Sequence, residues 1–376
     1  MKRLLYFFFI RYLVRKGFDR WFAQSYLRRV IRELKEYNMP LKKKIWAIKH
    51  GFYPSNVDFY KFAGFNEDNF SDFLSDYEYG RSYPINNYFK IWIDDKITTK
   101  YVFQDSKFKD FMPKYYIYIE RDGHYSYLMD FDESISKDSN ALNNLLKKEK
   151  VLALKPLAGS LGNGFIRLEI RGDDIYANEK QLKPSDFEAL KSSLKGYIVT
   201  EYCHQHSFFS KVWPLSECSL RIVMARVTDE YNGGECRCIS SYARFGTKLS
   251  GGASNMGQGG VGVPFDYNTG VFGDMFYRYP KFENYQRLSF ESHPDTKAKL
   301  AGVKIPNWEM VKKFIEEFTD YLSSLEYFGF DVIVTENGLK ICEINSHPEL
   351  YIEQIMNYPF MKDDFRSKFF GIKFSK

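Results

Sequence analysis

The stretch VLALKPLAGSLGNGFIR, residues 151–167, decides the fold. An apolar run ends in Lys155-Pro156, a glycine-rich turn follows, and alternation resumes with Phe165, Ile166, Leu168 and Ile170 set between Arg167 and Glu169. Gly159, Gly162 and Gly164 free the backbone to approach an anion, and the small Ser160 and Asn163 leave room for it. In the better-known phosphate loops the glycines open a helix whose N-terminus holds the phosphate. Here period-2 alternation and the turn Arg171-Gly172-Asp173-Asp174 predict a strand instead. Two strands joined by a glycine-rich hairpin form a mobile lid over a nucleotide, although an ordinary glycine turn would read the same way locally.

A second pair of strands carries the complementary chemistry. Residues 328–335 and 339–346 flank Glu336-Asn337-Gly338, a three-residue hairpin loop that sets Thr335 opposite Leu339. Counting back from that pair places Asp331 opposite Glu343, with Asn345 on the same face. Phe330, Val332, Val334, Cys342 and Ile344 then form the apolar face. Like charges across a strand pair repel, and a divalent cation removes the repulsion. Two carboxylates and an amide oxygen are hard ligands that suit Mg²⁺ held jointly with a substrate's phosphates.

The chain of 376 residues is long enough for two or three domains. Its five cysteines are odd in number and lack Cys-x-x-Cys spacing, which disfavours structural zinc and implies a reduced, cytoplasmic protein. Residues 1–50 hold seven lysines and seven arginines against three acids, a net of +11, leaving −5 for the remainder of a chain whose total is +6. The apolar run at residues 4–10 is far short of the roughly 20 residues that span a bilayer. Residues 4–46 read as a basic amphipathic helical region. It is either a helix packed on the body with its arginines in water or a peripheral anchor, with Tyr6, Phe7, Phe8, Phe9, Trp21 and Phe22 entering the membrane interface. Residues 51–113 read as mostly helical and carry no chemical signal. A second glycine-rich segment, residues 250–260, is irregular and of the type that carries function.

Taken together, Lys155 with its glycine hairpin, Thr200-Glu201-Tyr202-Cys203, and Gly329-Phe330-Asp331 with Glu343-Ile344-Asn345 resemble the ATP-grasp superfamily from about residue 114 to the C-terminus. Gln205-His206, Ser219-Leu220-Arg221-Ile222, Ala243-Arg244-Phe245-Gly246-Thr247, Ala253-Ser254-Asn255 with Gln258-Gly259-Gly260, and His293-Pro294-Asp295-Thr296 are most similar to its sugar-transfer-associated group of polysaccharide biosynthesis. The resemblance implies an α+β fold in which two lobes clamp ATP, preceded by a helical N-terminal region. Residues 1–50 and 51–113 then precede an N-terminal lobe at 114–200 with the lid and a C-terminal lobe at 201–376 with the Mg²⁺ site. Lys155 and the backbone of Ser160, Gly162, Asn163 and Gly164 would hold phosphates. Glu201, Tyr202 and Cys203 would meet the adenine, with His206 near the ribose. Asp331, Glu343 and Asn345 would bind Mg²⁺, Arg221 would stabilise the acyl phosphate, and Arg244, Asn255 and Gln258 would line the acceptor pocket. Lys114 is a candidate for a further phosphate lysine.

The activity implied is an ATP- and Mg²⁺-dependent ligase joining the carboxylate of a uronic acid or lipid-linked glycan to an amine or amino acid. A phosphotransferase acting on a sugar hydroxyl and a nucleotide-sensing, membrane-associated module are the alternatives. Nucleic acid is disfavoured as a partner for want of a reader motif, and residues 1–50, if they act as the anchor rather than pack on the body, would hold a cytoplasmic enzyme at the inner membrane face.

Overall fold

A computed structural model describes residues 2–157, 164–228, 234–251, 253–283 and 286–374. It is built on two seven-stranded antiparallel sheets. The first contains β1 (Tyr115–Ile119), β2 (Tyr125–Tyr127), β3 (Val151–Pro156), β4 (Ile166–Arg171), β5 (Asp174–Ala177), β6 (Lys180–Leu182) and β7 (Tyr197–Glu201), in the order β2-β1-β7-β3-β4-β5-β6. The second contains β8 (Ser219–Val227), β9 (Glu235–Phe245), β10 (Val261–Pro264), β11 (Phe276–Tyr277), β12 (Ser289–Phe290), β13 (Tyr327–Thr335) and β14 (Gly338–Asn345), in the order β12-β11-β10-β9-β8-β13-β14.

The opening stretch forms the expected hairpin, with Leu154 opposite Ile166 and Val151 opposite Glu169. Leu152, Leu154 and Leu168 are buried under the helix Ala141–Glu149, whose Leu142, Leu145 and Leu146 fill the same core. Period-2 geometry therefore turns Ala153 and Lys155 to the other face of the sheet. Gly164, at φ +80°, brings the chain back against Pro156 and Tyr197; a Cβ there would stand 2.8 Å from the Tyr197 hydroxyl.

The second sheet packs on the helix Trp308–Tyr321, whose Val311, Phe314, Ile315 and Phe318 meet Phe328, Phe330, Val332 and Ile344. Ile93, Phe103, Phe108 and Met112 enter this core too, so residues 93–112 are packed by the sheet rather than by a core of their own.

At the N-terminus the structure corrects a boundary. The continuous helical pattern over residues 4–46 resolves into three helices, Lys2–Arg15, Arg20–Glu36 and Leu41–Lys49. Gly17 at φ +97° ends the first, the Asp19 carboxylate caps the second by accepting from Trp21 N and Phe22 N, and Pro40 starts the third. Two of the six aromatics expected at a membrane are engaged internally: Phe22 stacks on Tyr83 at 4.2 Å, and the Tyr6 hydroxyl donates to Gln24 O at 3.5 Å.

His347, just after β14, ties these helices to the second sheet. It stacks on Tyr79 at 4.2 Å and meets Phe22 and Tyr83 edge-on at 5.2 and 5.3 Å. Burial pushes it from 6.5 down to about 4. The unfolded chain therefore binds a proton over that window that the folded chain refuses, and the contribution, full above pH 6.5, drains away as pH falls toward 4. Asp76 and Glu353, pushed by burial up to about 7, act with the opposite sign, so the readout is a difference between variants. His347→Phe should gain in Tm relative to wild type as the pH is lowered from 6.5 toward 4. Parallel Tm curves would remove His347 as an acid-labile element.

Candidate active site

Four strands of the second sheet place one residue each in a line. Tyr242 on β9 lies opposite Arg221 on β8, Arg221 opposite Asp331 on β13, and Asp331 opposite Glu343 on β14. Directly opposed residues share a face, so all four point the same way. Arg244, two residues beyond Tyr242, reaches the same carboxylate: its Nη2 is 2.7 Å from Asp331 Oδ2, while Arg221 Nε is 2.8 Å from Asp331 Oδ1. Arg244 also donates from Nε and Nη2 to Ser219 Oγ, at 3.0 and 2.8 Å. Asp331 is only 6% exposed. Burial works most strongly against the Arg221 charge, but Asp331, Tyr242, Glu353 and Glu343 together outweigh it and hold the guanidinium more firmly protonated than usual.

The Asp331–Glu343 pairing is the one expected, but its origin differs. The hairpin turn is shorter, with Thr335 opposite Gly338, and a bulge between Asp331 and Val332 restores the register. The bulge leaves Cys342 without a partner residue and groups it electrostatically with Cys203 and Lys155, away from the apolar face on which Ile341 and Ile344 are buried. The expected repulsion is also offset by the protein itself, since Asp331 has its two arginines and Glu343 Oε1 lies 3.2 Å from Lys96 Nζ. Sequence reasoning missed Lys96, which reaches the site from the helix Lys96–Phe103 and has no local motif to mark it.

Lys155 faces this row from the first sheet. It is half-buried, and although burial opposes its charge, Cys342, Cys203, Glu343 and Asp331 together raise its pKa. The Cys203 and Cys342 thiols perturb each other: their interaction, with burial, pushes Cys203 up, while Cys342 is drawn down by Cys203 and Lys155. The two lobes thus meet at a lysine, a thiol pair and two carboxylates.

The segment after β7 spans the sheets. Glu201 Oε2 accepts from Lys114 N and from Lys340 Nζ, each at 3.0 Å, so its carboxylate is held by protein. Lys114 has an exposed side chain and joins the hinge through its backbone. Tyr202 is buried, with its hydroxyl donating to Glu217 and the Arg167 guanidinium 5.0 Å over its ring. His206 N donates to Val334 O at 2.7 Å. The His206 ring caps the helix Ser207–Val212, Nδ1 accepting from Phe208 N at 3.0 Å and Nε2 lying 3.3 Å from Glu336. Its ring nitrogens are therefore engaged in fixing the hinge.

Asn255 Oδ1 accepts from Gly257 N at 2.7 Å and so caps a one-turn helix, Met256–Gln258, in the second glycine-rich segment. Gly260 packs where a Cβ would touch Phe245 O at 2.9 Å, which sets this loop beside the end of β9 that carries Arg244. Ser160, Gly162 and Asn163 lie outside the described residues.

Among the described residues no three His, Cys, Asp or Glu side chains gather as a ready-made metal cage. The donor set at β13 and β14 nevertheless fits Mg²⁺. Asp331 and Glu343 offer carboxylates on one face, and the Asn345 amide nitrogen is buried without a hydrogen-bond partner among the described residues, so this amide can turn its oxygen to an ion. Gly329 keeps the approach narrow: a Cβ there would stand 3.1 Å from Pro348 and 3.3 Å from Arg221 Nη1.

The profile of the sugar-transfer associated ATP-grasp family matches residues 75–366. By sequence the chain matches none of the curated proteins. Similar solved structures include D-alanyl-alanine synthetase A from Vibrio cholerae, with 9% identity over 75% of this chain and 64% of that one and a TM-score of 0.39. N5-carboxyaminoimidazole ribonucleotide synthetase from Thermotoga maritima shows 13% identity over 69% and 43%, with a TM-score of 0.34. Macrocyclase MdnC from Microcystis aeruginosa, bound with its precursor peptide, shows 11% over 76% and 61%, with a TM-score of 0.36. The chain thus spans 43% to 64% of the length of these three structures. With its profile matched over most of its length, the chain belongs to the sugar-transfer associated ATP-grasp family.

Proposed function

We propose that this protein is an ATP- and Mg²⁺-dependent ligase that joins a carboxylate to an amine through an acyl phosphate. The carboxylate is that of a uronic acid in a surface polysaccharide or lipid-linked glycan, and the amine is that of an amino acid. The observation that carries the reading is the row Arg221–Asp331–Glu343, with Arg244 on the same carboxylate and Lys155 facing it. A metal–phosphate group needs hard anionic ligands on one side and fixed cations on the other, and the row supplies both.

Lys155 would grip the phosphates of ATP, with the 158–163 segment above them. Asp331, Glu343 and Asn345 would hold Mg²⁺, which when bound offsets charge on the transferred phosphoryl group. The backbone of Tyr202 and Cys203 is the hinge surface left for the adenine edge, since the Glu201 carboxylate is engaged. A carboxylate oxygen attacks the γ-phosphorus, and the bond to ADP breaks. The amine nitrogen then attacks the acyl carbon, and phosphate departs as the nitrogen loses a proton. Arg221 and Arg244 stand ready to stabilise the oxyanion of that second step, fixed in place before the reaction by Asp331 and Ser219. Asn255 and Gln258 would border the acceptor. We further propose that the enzyme is cytoplasmic and works at the inner membrane face, held there by its basic N-terminal helices.

Incubation with ATP, Mg²⁺ and pools of amino acids and uronic acids should release ADP only when both a carboxylate and an amine are present. A stable phosphoester formed without any amine would instead indicate a phosphotransferase. Lys155→Ala should weaken ATP binding by about 10-fold to 100-fold and remove turnover with it, by loss of a charge-assisted contact. Arg221→Lys keeps the charge beside Asp331 but loses the guanidinium geometry; kcat should fall on the order of 10²-fold to 10³-fold with little change in ATP affinity. An equal loss in both quantities would place Arg221 in nucleotide binding instead. The double variant Asp331→Asn, Glu343→Gln should abolish Mg²⁺-dependent turnover, and full activity in it would sink the metal assignment.

A further inference from the structure

Residues 1–50 are not used by the chemistry above, yet they carry a dense run of exposed apolar side chains. Leu4, Leu5, Phe7, Phe8, Phe9, Tyr12 and Val14 are each more than 40% exposed, and Trp21 is 61% exposed. Between the helices Lys2–Arg15 and Arg20–Glu36 runs a groove of ≈ 1130 Å³. Ile10, Leu27 and Ile31 line it together with the exposed Leu5, Phe9 and Val14. Arg11, Arg15, Arg20 and Lys35 stand along it, and none of its lining residues is acidic. Among the described residues these four cations form no ion pair, whereas Arg29, on the second of the two helices, has Glu33 at 2.8 Å. An apolar channel with unpaired cations beside it complements an amphiphile with an apolar tail and an anionic head.

We propose that this groove binds a hydrocarbon chain of an anionic membrane lipid, with the lipid phosphate at Arg11, Arg15 and Arg20, so that the helical hairpin docks the enzyme on the bilayer. The inference rests on the membrane-face placement proposed above and specifies how it is achieved. The first helix, 14 residues or about 21 Å long, cannot cross a hydrocarbon core of about 30 Å, and no described helix is long and apolar enough to do so. It can lie in the interface, where exposed Phe7, Phe8 and Trp21 add to the contact. A second copy of this chain is disfavoured as the occupant, because the surfaces brought together would each carry the +11 of residues 1–50.

Flotation of the full chain with vesicles of phosphatidylcholine alone, and of phosphatidylcholine mixed with phosphatidylglycerol, provides the test. Wild type should bind the anionic vesicles and bind neutral ones at least roughly tenfold more weakly. The variant Leu5→Asn, Phe9→Asn changes two residues that are 52% and 56% exposed, so the fold does not depend on them. It should lose on the order of tenfold in binding with every cation intact. The variant Arg11→Gln, Arg15→Gln, Arg20→Gln should lose roughly 100-fold on anionic vesicles. If wild type binds and the Leu5/Phe9 variant binds equally well, the groove assignment is overturned while membrane placement stands. If wild type ignores anionic vesicles, both fall. A lipid-free dimer of wild type that the Leu5/Phe9 variant converts to monomer would show that a second copy covers the face and would overturn the proposal.

Discussion

The contact on which the site depends is the ion pair between Arg221 and Asp331 across β8 and β13. Asp331 is 6% exposed and the Arg221 side chain 12% exposed, so neither could be buried alone without a penalty of several kcal/mol. Each makes the other tolerable, and Arg244, steadied by Ser219, completes the balance. A core position that would otherwise be apolar thereby keeps two guanidiniums and a carboxylate at fixed separations. In the proposed reaction, these are the groups that would otherwise have to be gathered from water when charge develops, so the ordering is done during folding rather than during turnover.

Around this row the contacts of the segment that follows β7 are polar and directional. Glu201 joins the end of β7 to Lys340 on β14, and Glu336 in the β13–β14 turn receives Ser207 N and faces His206. These contacts converge on one short stretch of chain, residues 201–207, while the apolar cores of the two sheets stay separate. That division suits a clamp: each lobe is rigid by packing, and the junction is held by hydrogen bonds and ion pairs that can rearrange at modest cost. The first sheet presents Lys155, and the second presents the acids.

The strands, and the pairing of β3 with β4 on either side of the glycine-rich turn, were legible because alternation and glycine punctuation are local signals. The Asp331–Glu343 pairing was reached through two offsets that cancel, a turn one residue shorter than expected and a one-residue bulge at Cys342; cross-strand register is not written locally where a bulge intervenes. Lys96 was invisible because its role comes from packing across 247 positions of sequence, and Arg244 was assigned to the acceptor without any sign that it shares Asp331. Residues 51–113 read as mostly helical without showing what they pack on, for a related reason: Ile93, Phe103, Phe108 and Met112 are spaced to fit the core of the second sheet rather than a core of their own. Side chains already engaged by protein, such as the Glu201 carboxylate and the His206 ring, cannot be told from free ones in sequence.

The central claim is that the row facing Lys155 makes an acyl phosphate. The most direct measurement is trapping with hydroxylamine: the protein is incubated with ATP, Mg²⁺ and glucuronate or galacturonate, hydroxylamine replaces the amine, and the product is assayed as hydroxamate against ADP released. The account predicts hydroxamate and ADP in equal amounts, with neither formed when Mg²⁺ is chelated. ADP release with a phosphorylated sugar and no hydroxamate would contradict it.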